Sequence, residues 1–253
     1  MPMWLVLASA TDASALWAWQ GLRARGCAPL ELLTPEALVR SRGWVHRVGA
    51  GGDSVEIALA DGRLIRSGDV RGALNRIGWV PPDHLAGVAE GDREYVSQEL
   101  YAFFLSWLNA LPGNVIGRPT PQGLSGRWRH FSEWALLAAM AGLPIQTYRQ
   151  SSWDANGGVS GITPNLAPPG TPVRTVIVVA GQAVGVAPAE LLEGAGRLAA
   201  IAEADLLGVD FTVDHDGTWN FVGASPSPDL SVGGEALLDV LAETMVGRTR
   251  VAG

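Results

Sequence analysis

Lysine is absent. The 253 residues carry 18 Lys plus Arg, all of them arginine, against 25 Asp plus Glu, for a formal charge of -7. Without lysine there is no phosphate-binding loop ending in Gly-Lys-Ser/Thr, and no Schiff base to pyridoxal phosphate or to a carbonyl substrate. The acidic balance argues against nucleic-acid and anionic-membrane binding, both of which leave a basic stripe. Cysteine occurs once, at Cys27. That excludes an intrachain disulfide and a cysteine-rich zinc or iron-sulfur site, and it predicts a small core residue. No apolar run reaches the roughly 18 residues that cross a bilayer. The longest, from Trp134 to Ile145, is broken by Gly142 and Pro144. The opening Met1-Pro-Met-Trp-Leu-Val-Leu7 has no basic leader and reads as a first strand, so the expected location is the cytoplasm.

What is present is an ordinary globular composition, 47% apolar and 17% charged, enough to bury a core in one large domain or two small ones. Ten tryptophans act mainly as core or interface anchors, and tryptophan-rich helices make a homodimer an expectation. A GC-rich genome supplies a compositional explanation for arginine without lysine.

Along the chain, Met3 to Ser9, Ala13 to Arg25 and Ala28 to Leu33 read strand, helix, strand with parallel pairing. Thr34-Pro35 opens a short helix. Residues 44 to 66 alternate in the manner of strands. Asp61-Gly62 is a hairpin turn, and the Gly49 to Gly52 run is read as a flexible hairpin tip rather than an anion cradle. Val70 to Trp79 is a buried strand, Asp92 to Leu111 the clearest helix, Gly126 to Gly142 a second, and Pro144 to Tyr148 a strand. Gln150 to Pro172 is rich in Gly and Pro and shows no period. Strand Val173 to Val179, its mate Ala183 to Val186, helix Ala189 to Ala204, a hairpin from Leu207 to Val222 and helix Gly233 to Val246 complete the chain. The fold class is therefore α/β (α+β), divided at 1–112, 113–149, 150–172 and 173–253.

The hairpin Leu207-Gly-Val-Asp210 through Asn220-Phe-Val-Gly223-Ala-Ser225-Pro-Ser-Pro228, together with Val173-Arg174-Thr-Val-Ile-Val-Val-Ala-Gly181, resembles the C-terminal strands of the ATP-grasp superfamily. The peptide-modifying and ribosomal-protein glutamate-ligase-like members are the ones it resembles most. Glu99 and Trp107, with Asn114 to Pro119, are similar to the region before the nucleotide fold in peptide-modifying members. The resemblance implies an N-terminal β-α-β pre-ATP-grasp-like subdomain and a truncated ATP-grasp-like subdomain of antiparallel hairpins and packed helices. In that family an Asp, a Glu and an Asn hold magnesium on the nucleotide phosphates, since hard cations take oxygen ligands. Residue by residue, Asp210 matches the Asp, Gly223 stands at the Glu, Ser225 at the Asn and Pro228 at the usual proline. Arg174 matches an arginine that contacts the transferred phosphate or acyl phosphate. The alternative for Arg174 is an ion pair with Asp210 or another acid. The family's two-lysine nucleotide clamp belongs between residues 150 and 173, where this chain has only the Gly/Pro-rich stretch.

The candidate residues are therefore Arg174 and Asp210 for a cofactor, Asp210 for a metal, and Arg174, Arg118 and Arg127 for an anionic substrate. Trp128-Arg-His130 with Arg127 and Glu133 could recognise a carboxylate but is read first as the charged face of a helix, and His215 between Asp214 and Asp216 could bind a cation but is read first as part of a solvated turn. Two functions follow. One is a degenerate member, a pseudoenzyme without a cofactor, acting as a binding or assembly component on a small anion or on a peptide or protein partner. The other is an active carboxylate-amine/thiol ligase using Mg-ATP through an acyl phosphate, with arginines for lysines and Asp214, Asp216 or Asp229 as metal ligands. Binding of a small anion through Arg174 without turnover is a third.

Overall fold

The computed structural model describes residues 2–50, 52–111, 114–146 and 171–247. Contacts group the chain into two units, Met1–Arg127 with Asp229–Gly253, and Trp128–Pro228.

The first unit is built on a parallel sheet in the order β2-β1-β6-β7. β1 (Met3–Leu7) is its apolar central strand, with Leu5, Val6 and Leu7 all fully buried. That is the pattern of a parallel strand covered on both faces. α1 (Ala13–Ala24) begins where Asp12 accepts a 2.9 Å hydrogen bond from the Ala15 N–H, and β2 (Leu30–Leu33) returns parallel to β1. Thr34 caps α2 (Pro35–Val39), whose proline sits at the start as the sequence predicts. Cys27 is fully buried, as expected of a small core residue.

Next come three antiparallel strands, β3 (Gly43–Arg47), β4 (Ser54–Ala58) and β5 (Leu64–Arg66), in the order β3-β4-β5. β6 (Val70–Asn75) follows, then α3 (Arg93–Asn109) and the two-residue β7 (Val115–Ile116). Phe104, Trp107 and Leu108 of α3 share one core with Val55, Ile57 and Ile65 of the small sheet and with Leu5 and Leu7. β6 is shorter than the Val70 to Trp79 strand read from the sequence. Asn75 ends it by turning its amide to the carbonyls of Gly117 and Leu124, at 2.8 and 2.7 Å, and accepting from the Ile77 N–H at 3.1 Å. The C-terminal helix α6 (Gly234–Val246), read in sequence with the 173–253 segment, packs in this unit against α1 and β6. Gly21 permits the approach, since a Cβ there would stand 2.4 Å from Leu238 Cδ1.

The second unit holds α4 (Phe131–Met140), β8 (Val173–Val179), β9 (Gln182–Val184), α5 (Ala189–Ile201), β10 (Leu206–Val213) and β11 (Trp219–Ser225). Its antiparallel sheet runs β11-β10-β8-β9. Val176, Val178, Leu207, Val209, Phe211 and Phe221 form one sheet face, packed with Trp134 and Ala138 of α4 and with Leu191, Ala195 and Leu198 of α5. This alternation is the period-two signal that predicted the strands.

Two expectations change here. The helix predicted from Gly126 begins only at Phe131, because Gly126 has φ +120° and His130 Nδ1 caps the Ser132 N–H at 3.3 Å. Arg127, Trp128 and Arg129 thus precede the helix and are not a helical face. Of the strand predicted at Pro144 to Tyr148, the described residues 144–146 make one parallel bridge, Ile145 to Phe221, beside a 2.7 Å bond from the Phe221 N–H to the Pro144 carbonyl. Residues 147–150 lie outside the described residues, as does most of the predicted Gly/Pro-rich loop, 150–170.

Two arginines tie the helices reciprocally. Arg129 donates to the Ala202 carbonyl at the end of α5 (3.0 Å) and to Glu133 (2.8 Å), with its guanidinium 5.2 Å from the Trp134 ring centroid. Arg197 of α5 donates to the Ala141 carbonyl at the end of α4 (2.9 Å). Because Arg129 is nearly buried, Arg129→Met removes the donor to Glu133 and to one helix-end carbonyl. The expected loss is about 2–3 kcal/mol in urea unfolding. Arg197→Met, at a side chain that is 53% exposed, is expected to lose less than about 1 kcal/mol.

Candidate functional site

Asp210 lies in the middle of β10, and strand register decides its surroundings. On one side it pairs with Thr175 of β8, on the other with Gly223 of β11. Thr175 Oγ1 donates to Asp210 Oδ1 at 2.7 Å. Toward β11 the register shifts by one residue: Phe211 faces Phe221 while Asp210 faces Gly223, leaving Val222 as the extra residue of a bulge. The bulge lets Phe221 stay in the core with Phe211 while Gly223 stands beside Asp210 on the opposite face. Ser225, two residues on, pairs with Gly208, and its Oγ accepts from the Ser227 N–H at 3.1 Å. Pro228 packs on the strand at Gly208, where a Cβ would meet it at 2.6 Å. Asp210, Gly223, Ser225 and Pro228, separated by up to eighteen positions, are thus gathered on one sheet face.

The chemistry of this face is sparse. Burial pushes the Asp210 carboxyl above the ordinary aspartate range, and the Thr175 hydroxyl pulls it partly back. Gly223 contributes no side chain, and among the described residues nothing lies within 4 Å of the position its Cβ would take.

Arg174 does not join this group. It pairs with Phe211, one residue out of step with the Thr175–Asp210 pair, so Arg174 and Asp210 leave opposite faces of the sheet, and Arg174 is exposed. The alternative of an Arg174–Asp210 ion pair fails for the same reason. Arg118, after β7, and Arg127, before α4, are exposed and belong to the first unit, whereas Arg174 belongs to the second.

The acids proposed as substitute ligands are engaged locally. Asp214 accepts from Asn220 Nδ2 at 2.9 Å, and Asp216 accepts from the Thr218 N–H at 2.9 Å, which holds its carboxyl below the usual range. Asp229 accepts from the N–H and hydroxyl of Ser231 at 3.0 and 2.7 Å. His215 sits in the exposed hairpin turn. Among the described residues no three His, Cys, Asp or Glu side chains come together as a metal group, and no helix is long and apolar enough to cross a membrane.

Thr175 was not singled out from the sequence. Its part follows from cross-strand register, which local pattern does not fix.

The architecture has solved counterparts. The macrocyclase MdnC of Microcystis aeruginosa MRC, bound with its precursor peptide MdnA, superimposes with a TM-score of 0.70 over 97% of this chain and 100% of that one, at 13% identity. A RiPP-associated ATP-grasp ligase of Chryseobacterium gregarium, in complex with ADP and a leader and core peptide, gives 0.72 over 98% of both chains at 9% identity. The fold is ATP-grasp-like. PsnB, an ATP-grasp ligase complexed with a minimal precursor, gives 0.67 over 99% of both chains at 14% identity. No family model matches the sequence, and no curated protein is similar to it in sequence. At these identities the likeness is one of architecture, and what the ATP-grasp-like chain does must be argued from its own side chains.

The Asp210 geometry has a pH signature. A carboxyl raised in the folded state binds its proton more tightly there than in the unfolded chain. Stability from this group is therefore full below the unfolded carboxylate range and is lost as pH rises through the raised folded value. Asp210→Asn keeps an acceptor for Thr175 and removes the buried charge. The variant is expected to be more stable than wild type at neutral pH, with the gap closing as pH falls below the ordinary carboxylate range. Urea midpoints measured across pH check it, and a gap that widens on acidification contradicts it.

Proposed function

We propose that this chain is a degenerate ATP-grasp-like protein, a binding component for a peptide or protein partner without Mg-ATP-dependent ligation. The observation that carries this is Gly223: directly across from Asp210, at the position the resemblance aligns with the family's second metal-binding acid, there is a glycine that offers no side-chain ligand. The described residues on this sheet face do not fit a magnesium-bound nucleotide. Asp210 is a single carboxylate whose burial favours its neutral form. Ser225 offers a neutral hydroxyl already accepting from the backbone. Arg174 leaves the other face, and no lysine exists in the chain. Phosphoryl transfer rests almost wholly on positioning and charge neutralisation, so a site with these deficits supplies little of either. Each missing charge-assisted hydrogen bond forgoes about 1.5–3 kcal/mol.

A peptide partner is supported by the neighbours of the same architecture, one bound with a precursor peptide, one with a leader and core peptide and one with a minimal precursor. Fold likeness transfers the expectation only, and the active-ligase reading keeps the same neighbours. The two readings part over nucleotide. Thermal unfolding of the full chain with and without millimolar Mg-ATP is expected to coincide. Ligand binding at 100 times Kd would add about 2.7 kcal/mol of stability, well above the noise of such a measurement. A magnesium-dependent rise in Tm overturns the proposal in favour of the ligase.

A further inference from the structure

α4 is apolar on nearly every side. Its ten residues, Phe131–Met140, include one ionisable side chain, Glu133, and Arg129 holds that carboxylate at 2.8 Å. A helix of this character belongs in an interior, covered all round. Only half of it is covered. Trp134 and Ala138 pack into the core with α5 and the antiparallel sheet. On the other side Ser132, Leu136, Ala139 and Met140 share one stripe, since residues three and four apart on a helix are neighbours. Leu136 is 61% exposed and Met140 63%.

The stripe continues past the start of the helix. His130 Nδ1 lies 2.9 Å from Ser132 Oγ, and the Trp128 ring meets the His130 ring edge to face at 6.4 Å. Trp128 itself is 70% exposed. Going along α4, the face therefore has an aromatic end at Trp128 and His130, a small residue at Ser132, Leu136 in the middle and Met140 at the far end. None of the four stripe residues of α4 is an acid or an arginine.

This order of sizes is self-complementary. With a two-fold axis at Leu136, two copies of α4 run antiparallel and Leu136 meets its own counterpart. Met140, four residues on, then falls against Ser132 of the second copy, four residues back, so a long side chain meets a short one at both ends. The Met140 thioether also arrives beside the aromatic end, a favourable sulfur contact. An isologous interface sets every residue against the same surface, so a charged stripe would oppose itself. In a chain of net charge -7, an uncharged face is where two copies can approach. An acidic or basic partner gains nothing from it.

We propose that the outer face of α4 seats a second copy of the chain, in an isologous dimer with Leu136 on the two-fold axis. The pairing gives a surface to the homodimer expected from the sequence, and it depends neither on nucleotide nor on a peptide partner. Trp128, Leu136 and Met140, with the small residues between them, bury on the order of 800–1,000 Å² over two copies, the low end for a specific interface. The dimer is accordingly weak, with monomer and dimer exchanging in the micromolar range.

Sedimentation equilibrium of the full chain alone, from about 1 to 500 µM, tests this. Wild type is expected to pass from monomer to dimer across that range. Leu136→Asp and Leu136→Arg, both at an exposed position, are each expected to weaken dimerisation at least about tenfold. An equimolar mixture of the two variants is expected to restore it, because only an interface that sets residue 136 against itself brings the opposite charges together. Leu136→Cys is expected to give a disulfide-linked dimer under mild oxidation, with Cys27 fully buried and excluded from the reaction. A wild type that stays monomeric throughout overturns the proposal, as does a dimer that survives both charged variants. Loss of the dimer in both without rescue by the mixture overturns it too, since residue 136 would then lie off the axis.

Discussion

Trp107→Ala is expected to remove about 3–5 kcal/mol of stability, a large share of the 5–15 kcal/mol typical of a folded domain. The ring is fully buried among Leu5, Leu7, Phe104 and the small-sheet residues Ile57 and Ile65. It makes T-shaped contacts with Trp44 at 5.5 Å and Phe104 at 6.4 Å. Truncation leaves a cavity at the meeting of α3 with β1 and the three-stranded sheet, where rigid strands cannot collapse to fill it. Trp107→Phe is the informative companion. It deletes an indole N–H that has no partner, so no hydrogen bond is lost and the cost is expected to stay below about 1.5 kcal/mol. Urea denaturation of both variants checks the pair. A Phe variant as unstable as the Ala variant would mean that the N–H is satisfied after all.

The second large effect is expected from Gly223→Glu. Position 223 lies directly across the antiparallel pair from Asp210, and a side chain there clashes with none of the described residues. Two carboxylates facing each other across a strand pair destabilise by up to about 1 kcal/mol. Replacing a strand glycine by any residue with a Cβ recovers about 0.5–1 kcal/mol of backbone entropy, so the proper reference is Gly223→Gln, which isolates the charge. At neutral pH and low salt the Glu variant is expected to be the less stable of the two, and millimolar magnesium to close the gap for the Glu variant alone. Magnesium that stabilises wild type as much as the Glu variant would show a metal site already complete without residue 223.

Much of this fold was legible from spacing. The apolar run of β1, the capped starts of α1 and α2, the hairpin turn at Asp61-Gly62 and the alternating valines of β8 each follow from local chemistry, and the structure places an element at each. The misplacements came where a distant partner decides. Residues 127–130 have apolar and charged spacing that suits a helix, yet Arg129 is drawn to the Ala202 carbonyl of α5, and His130 serves as the cap. Pro144 to Gln146 reads as a strand, but the only pairing described for it is a single bridge on β11.

The site shows the same division. Asp210, Gly223 and Ser225 were located by motif, and the bulge at Val222 that gathers Gly223 to Asp210 follows from Phe221 keeping its place in the core. Arg174 was linked to Asp210 by likeness of sequence, whereas the alternation of β8 sends the two side chains to opposite faces. Thr175, one residue along, is the actual partner, and only knowledge of the register reveals it. Among the described residues Trp44 Nε1, His46 Nε2 and Trp107 Nε1 are buried without a hydrogen-bond partner. That leaves no mark in sequence at all, since whether an indole N–H finds an acceptor is a property of packing.

The central claim is that a polyphosphate with its divalent ion finds too few oxygen ligands and too few cations beside Asp210. Calorimetric titration of the full chain with Mg-ATP tests this most directly. The account predicts no saturable heat up to millimolar nucleotide, with or without magnesium, and no change on Asp210→Asn. A saturable, magnesium-dependent heat that Asp210→Asn abolishes would contradict it.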